Sequence, residues 1–137
     1  MRGNKWRLGI SLSLIVFIGI QCRCVTETKW IDASAAWKIV REKVLQNELE
    51  GKRCFISTKL LKGGEIIKSW NRQQQVPEKF ALAWVVFIDD APEANWEHPC
   101  RYVFIDAASS EYVIRQASTP PDNLNSEFKE MKVKVPT

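Results

Sequence analysis

Ala81 to Ile88 is apolar at every position, and this run constrains the chain more than any other feature. A continuous apolar segment of strand length suits a strand covered on both faces, so it belongs in the middle of a sheet. Asp89 to Cys100 ends the run with two prolines and several polar residues. Tyr102 to Ala107 is the next strand, Ser109-Ser110 marks a turn, and Tyr112 to Gln116 is the last strand. Pro120-Pro121 stops the sheet, because proline cannot donate to a ladder. Beyond it a short helical piece is expected around Ser126 to Met131, followed by a frayed end.

Upstream of the run, Cys54, Ile56, Thr58 and Leu60 alternate with Arg53, Ser57 and Lys59, the pattern of a half-buried strand. Lys62-Gly63-Gly64-Glu65 offers a turn, and Glu65 to Trp70 returns as a second strand of a hairpin. Asn71 to Lys79 is polar and reads as a loop. Ala33, Ala36, Trp37, Val40 and Val44 fall on one helical face. Asp32 or Ser34 can cap that helix at its start. Gly51 sits where a left-handed residue would close it, so the helix spans residues 33–49. Helix and sheet each have a face to bury, and packing one on the other buries both. The expected class is α+β: an N-terminal amphipathic helix on a four- to five-stranded antiparallel sheet, in two layers.

The start of the chain has a different character. Arg2, Lys5 and Arg7 precede an apolar run from Leu8 to Ile20, and Gln21 to Cys24 is short and polar. That order describes a secretory signal peptide over residues 1–24, with a single domain over 25–137. The apolar run is short for a spanning helix. Cleavage before Val25 is one reading, and lipidation at Cys22, tethering the product to a membrane, is another. The leader also accounts for the net charge of +4. It holds four basic residues and no acid, so beyond it basic and acidic residues balance at sixteen each. A balanced chain has no bulk electrostatic reason to seek nucleic acid or an anionic membrane.

Cys54 and Cys100 are the cysteines beyond the leader. In an oxidising compartment such a pair suggests a disulfide, which would constrain the unfolded chain by roughly 4 kcal/mol. The alternative is two buried free thiols. His98 is the only histidine, and Asp89, Asp90, Glu97 and Cys100 lie near it. Their spacing fits neither a helical ligand pair nor Cys-x-x-Cys, so no metal and no cofactor are expected. Asp89 and Asp90 are adjacent on a strand end and face opposite ways, which disfavours proton sharing. Signatures of serine hydrolases, phosphate-binding loops and zinc proteases are absent from the sequence. A hydrolase or metal enzyme built on His98, Asp89, Asp90 and Cys100 is thus the weaker reading. Trp37 and Trp84 suit the core. Trp96 lies in the polar segment Asp89 to His98, where an aromatic either plugs the sheet edge or anchors a partner.

An Ala-rich helix (Ala33-Ser34-Ala35-Ala36-Trp37), an aromatic and β-branched strand (Ala83 to Ile88), and a closing hairpin through Ile105-Asp106-Ala107-Ala108-Ser109-Ser110-Glu111 occur in that order. In this the span Ala35 to Gln116 resembles the PepSY-type domains of propeptides of secreted metalloproteases and of other exported bacterial proteins. Ser110 stands where that pattern usually has glycine, which implies a different turn. Trp84, Asp106 and Pro120-Pro121-Asp122 are also similar in order to small bacterial immunity proteins, which neutralise toxins. Both resemblances imply a non-enzymatic role, inhibition of a protein partner by surface contact. The contact residues expected are Asp89, Asp90, Asn95, Trp96 and His98. The remaining reading is an envelope-tethered structural protein held through Cys22.

Overall fold

The computed structural model describes residues 27–132 and the isolated Gly19. The expected signal segment, Cys22 and the last five residues therefore lie outside the described residues, apart from Gly19. The class is α+β, with a short helix on a mostly antiparallel sheet. In chain order the elements are α1 (Ala33–Ile39) with a π-helical turn (Val40–Val44), β1 (Arg53–Ser57), β2 (Leu61–Lys62), β3 (Ile66–Ser69) and β4 (Arg72–Gln75). There follow β5 (Leu82–Asp89), β6 (Cys100–Asp106), β7 (Tyr112–Ala117), α2 (Leu124–Glu127) and β8 (Phe128–Glu130). The main sheet runs β7-β6-β5-β1-β8, with β2 also paired to β5, so it has six strands rather than four or five.

The apolar run lies where its composition demands. β5 pairs with β6 from Ala83 to Asp89, with β1 at one end and with β2 at the other. Its side chains enter two separate cores. Val86 and Ile88 pack with Cys54, Ile56, Val103 and Ile105 under Ala36, Val40 and Leu45 of the helical segment. Ala83, Val85 and Phe87 pack on the opposite face with Phe55, Tyr102, Phe104, Leu61, Ile67, Val76 and Phe80. The sheet is therefore covered on both sides, and the two-layer expectation is corrected. The second cover is the β3–β4 hairpin with its flanks, together with the segment leading into α2.

This second cover also corrects the reading of β1. Cys54, Phe55, Ile56 and Ser57 are all buried, so the strand has no solvated face. Ser57 survives burial because its hydroxyl accepts the Val85 N–H at 3.0 Å. An apolar–polar alternation implies a wet face only when nothing else covers that face.

The expected hairpin is shifted. Lys62-Gly63-Gly64-Glu65 does not join β1 to its partner. β3 pairs instead with β4, in the register Ile66↔Gln75 to Ser69↔Arg72, around a two-residue Trp70-Asn71 loop. The segment read as a loop thus contains a strand of glutamines. Trp70 takes a left-handed φ of 54° in that loop. Gly63 is needed for a close crossing, since a Cβ there would lie 2.1 Å from the Phe80 carbonyl oxygen.

Asp32 caps α1 as expected, its carboxylate accepting the Ala35 N–H at 2.8 Å. The helix does not reach residue 49. After Ile39 the turns widen, and the Leu45 N–H reaches back to the Val40 carbonyl. The extra residue of a π turn brings Leu45 into the core beside Val40 and leaves Val44 only partly buried. Gln46 and Asn47, both left-handed, then end the element before Gly51. At the far end, the helical piece is a single turn over Leu124–Glu127. Phe128–Glu130 is a strand that pairs with β1, where helix had been expected to Met131.

The β6–β7 turn is defined by two backbone hydrogen bonds. The Asp106 N–H donates to the Glu111 carbonyl and the Ser110 N–H donates to the Asp106 carbonyl. Ser110 has φ 65°. This is a bulged turn with a left-handed residue at the position glycine favours. Ser110 therefore takes a backbone conformation that glycine adopts at less cost. Asp106 builds the loop by accepting from the Ala108 N–H and the Ser109 hydroxyl. A Ser110→Gly substitution is expected to stabilise the protein by about 1 kcal/mol, because a left-handed conformation is unfavourable for a residue with a Cβ. A rise in the urea midpoint at unchanged slope would establish this, and a fall would refute it.

Candidate functional site

Asp89 closes β5 and pairs with Cys100, which opens β6. The ten residues between them form a loop at one end of the sheet. Three polar anchors hold it. His98 is the first: Nε2 lies 2.8 Å from Asp89 Oδ1 and Nδ1 lies 2.6 Å from the Trp96 carbonyl oxygen. Both neighbours are acceptors, so imidazolium alone can donate to both at once. The Trp96 carbonyl, first, and the Asp89 carboxylate accordingly raise the His98 pKa above its ordinary value, against the opposing effect of desolvation. The His98 backbone N–H also donates to the Ser118 carbonyl, just past β7.

Arg101 is the second anchor. Its Nε and NH2 groups form a two-pronged pair with Asp90 at 2.9 and 2.7 Å. Both side chains are mostly shielded from solvent. Arg72 at the start of β4 is the third. It donates to the Ser118 hydroxyl at 2.9 Å and lies 3.4 Å from a Glu97 carboxylate oxygen. The hairpin that covers one face of the sheet is thereby tied to the loop.

The five expected contact residues separate into two groups. Asp89, Asp90 and His98 turn their polar atoms toward one another and toward Arg101, and are only partly exposed. Asn95 and Trp96 face solvent, and Trp96 is 82% exposed. Trp96 therefore does not plug the sheet edge. Asp89 and Asp90 engage different partners, His98 and Arg101, and do not face each other, which disfavours a shared proton. Trp37 and Trp84 are half-buried against the helix-side core, with Trp84 Nε1 donating to the Ile31 carbonyl.

Sequence reasoning missed Arg72, Arg101, Ser118 and Trp70. Trp70 is 59% exposed at the tip of the β3–β4 hairpin, and its backbone N–H donates to Asp122 Oδ1 at 2.7 Å. An aromatic followed by Asn in an otherwise polar stretch was the available signal for that tip. The links of Arg72 connect residues distant in sequence, and the Arg101–Asp90 pair forms across the loop between two strands, so neither follows from a periodic pattern.

The disulfide expectation is corrected. Cys54 and Cys100 are both free and buried. Cys54 belongs to the helix-side core and Cys100 to the opposite one, so the sheet separates them. Burial pushes each thiol up to about 12. A thiol held in its protonated form is a poor nucleophile and a poor metal ligand. Among the described residues, no group of three His, Cys, Asp or Glu side chains is arranged to hold a metal ion. Among them, too, no helix is long and apolar enough to cross a membrane. Comparison with protein-family models, curated proteins and solved structures finds no match for this chain.

Two outcomes follow from this geometry. Cys54 and Cys100 should resist a water-soluble thiol reagent in the folded protein and react together in denaturant without prior reduction. A requirement for reductant would restore the disulfide. For His98, the sign is that of a raised pKa: the anchor is intact below the unfolded value near 6.5 and is lost as pH rises through the folded value. Asp89→Asn should lower the His98 pKa in an NMR titration. An unchanged value would remove Asp89 from the anchor.

Proposed function

We propose that this chain is an exported, non-enzymatic module that binds and restrains another protein by surface contact, in the manner of a propeptide or inhibitor. The carrying observation is Trp96, 82% exposed on a loop with three separate anchors. Exposed tryptophans are enriched among the residues that dominate protein interfaces. A loop already fixed in place loses little freedom on binding, so more of the contact energy appears as affinity.

The resemblance of Ala35 to Gln116 to PepSY-type domains supports the same reading, as does the similarity in order to immunity proteins. The leader pattern of residues 1–24 supports an encounter outside the cytoplasm, with secreted or periplasmic release. Tethering through Cys22 would keep the same contact at a membrane surface. The hydrolase reading draws no support from two cysteines buried on opposite faces. Balanced charge beyond the leader gives no reason to expect nucleic acid as a partner.

The test is capture of partners from the exported proteins of the source organism by wild type and by Trp96→Ala. One dominant enzyme is expected, inhibited by wild type. Its affinity should fall roughly 30-fold or more with Trp96→Ala, the loss of a single dominant contact. The melting temperature should not change, since the side chain is in solvent. Capture that is indifferent to Trp96 would overturn the choice of surface, and a captured protein that is not inhibited would overturn restraint as the role.

A further inference from the structure

The main sheet has two ends, and they differ. β8 is three residues long and carries Lys129 and Glu130. β7 is six residues long, and among the described residues nothing pairs with its outer side. It contains no proline and no lysine, the residues that ordinarily protect an exposed edge. Arg115 is its one charged residue, and its guanidinium lies over the Phe104 ring of β6, 5.5 Å from the centroid.

The turn fixes which backbone groups face outward. The Asp106 N–H donates to the Glu111 carbonyl, so this is a bonded pair of the ladder. In an antiparallel ladder bonded and non-bonded pairs alternate. Given the register Ile105↔Tyr112, Phe104↔Val113 and onward, Val113, Arg115 and Ala117 bond to β6. The N–H and C=O groups of Tyr112, Ile114 and Gln116 point away from the sheet. Their side chains share the helix-side face, since Tyr112 packs with that core while Val113 and Ala117 pack with the other. Ile114, at the centre, is 41% exposed.

We propose that β7 pairs antiparallel with β7 of a second copy about a twofold axis at Ile114, joining two sheets into one. The strand is self-complementary in that register. Ile114 meets Ile114, Tyr112 meets Gln116, and Val113 meets Arg115. No like charges stand directly opposite, and each arginine remains over its own Phe104. The three outward residues supply donors and acceptors to one another in both directions. The exposed apolar side chain at the axis is covered by its own symmetry mate. The two Trp96 loops lie at opposite ends of the shared edge, because each follows the β5–β6 end of its own sheet and the strands run in opposite directions.

Two measurements on the full chain test this. In sedimentation equilibrium the wild type is expected to form a dimer with a Kd of about 10 μM or tighter. Ile114→Lys should be a monomer with an unchanged circular dichroism spectrum, because it sets like charges directly opposite each other. Ile114→Cys, in a background with Cys22 and Cys24 replaced by serine, should oxidise to a linked dimer roughly tenfold faster than Lys129→Cys on the other edge. A monomeric wild type overturns the proposal. So does a dimer that survives Ile114→Lys, which would place the contact elsewhere. Equal cross-linking at 114 and 129 overturns the register, and with it the twofold at Ile114.

Discussion

Burial of β5 on both faces is the constraint from which most of this architecture follows. Its residues from Ala83 to Ile88 alternate between two cores, and neither core is closed by the sheet itself. One needs the helical segment, and the other needs a second cover of comparable reach. That cover is improvised from the β3–β4 hairpin and the Pro120-Pro121 segment. Polar atoms join them. The buried Ser69 hydroxyl lies against Thr119 and the Pro120 carbonyl, and the Tyr102 hydroxyl donates to the Thr119 carbonyl at 2.9 Å. Burying these groups is tolerable because each finds a partner. Burial drives the Tyr102 pKa upward, so the phenol remains a donor.

The same division explains the cysteines. Two cysteines near strand ends in a chain with an export-like leader look like a staple. β1 and β6 are not neighbours, however, and β5 runs between them. Cys54 pairs with Ile88 while Cys100 pairs with Asp89, and adjacent residues of β5 face opposite cores. The register alone therefore sends the two thiols apart. Each behaves as a small apolar side chain, with the Cys100 thiol 3.6 Å from the Thr119 carbonyl.

What could be read from the sequence was what rests on local pattern. The central strand, a cap at the start of the helix and the two strands after the loop follow from composition or spacing within a dozen residues. The local pattern leaves the aromatic in that loop open between two readings, and only the structure settles its exposure. The failures share a cause. β4 is a strand of Arg and Gln with no apolar period, held by pairing with β3 rather than by burial. β8 takes its conformation from β1, with Arg53 and Glu130 forming a two-pronged pair across them. That pair holds the Glu130 carboxyl below its ordinary range. The π turn brings Leu45 into the core beside Val40, a tertiary contact with no local signal. Phe55 between Cys54 and Ile56 was the one local clue that β1 had two dry faces.

The candidate site inherits its rigidity from this same frame. Asp89 ends β5, Arg101 lies in β6, Ser118 follows β7 and Arg72 begins β4, so each anchor of the loop is rooted in a paired strand or its immediate end. Exposed ion pairs contribute little by themselves, and the Arg72–Glu97 contact is of that kind. The Asp90–Arg101 pair is different, because it is two-pronged and largely shielded, which strengthens it and fixes its geometry. His98 adds a second shielded contact and a backbone bond to a different strand end. A loop held in this way has few independent motions of its own. Its order is then set by the sheet rather than by the aromatic it carries, which leaves the Trp96 side chain free of any structural duty.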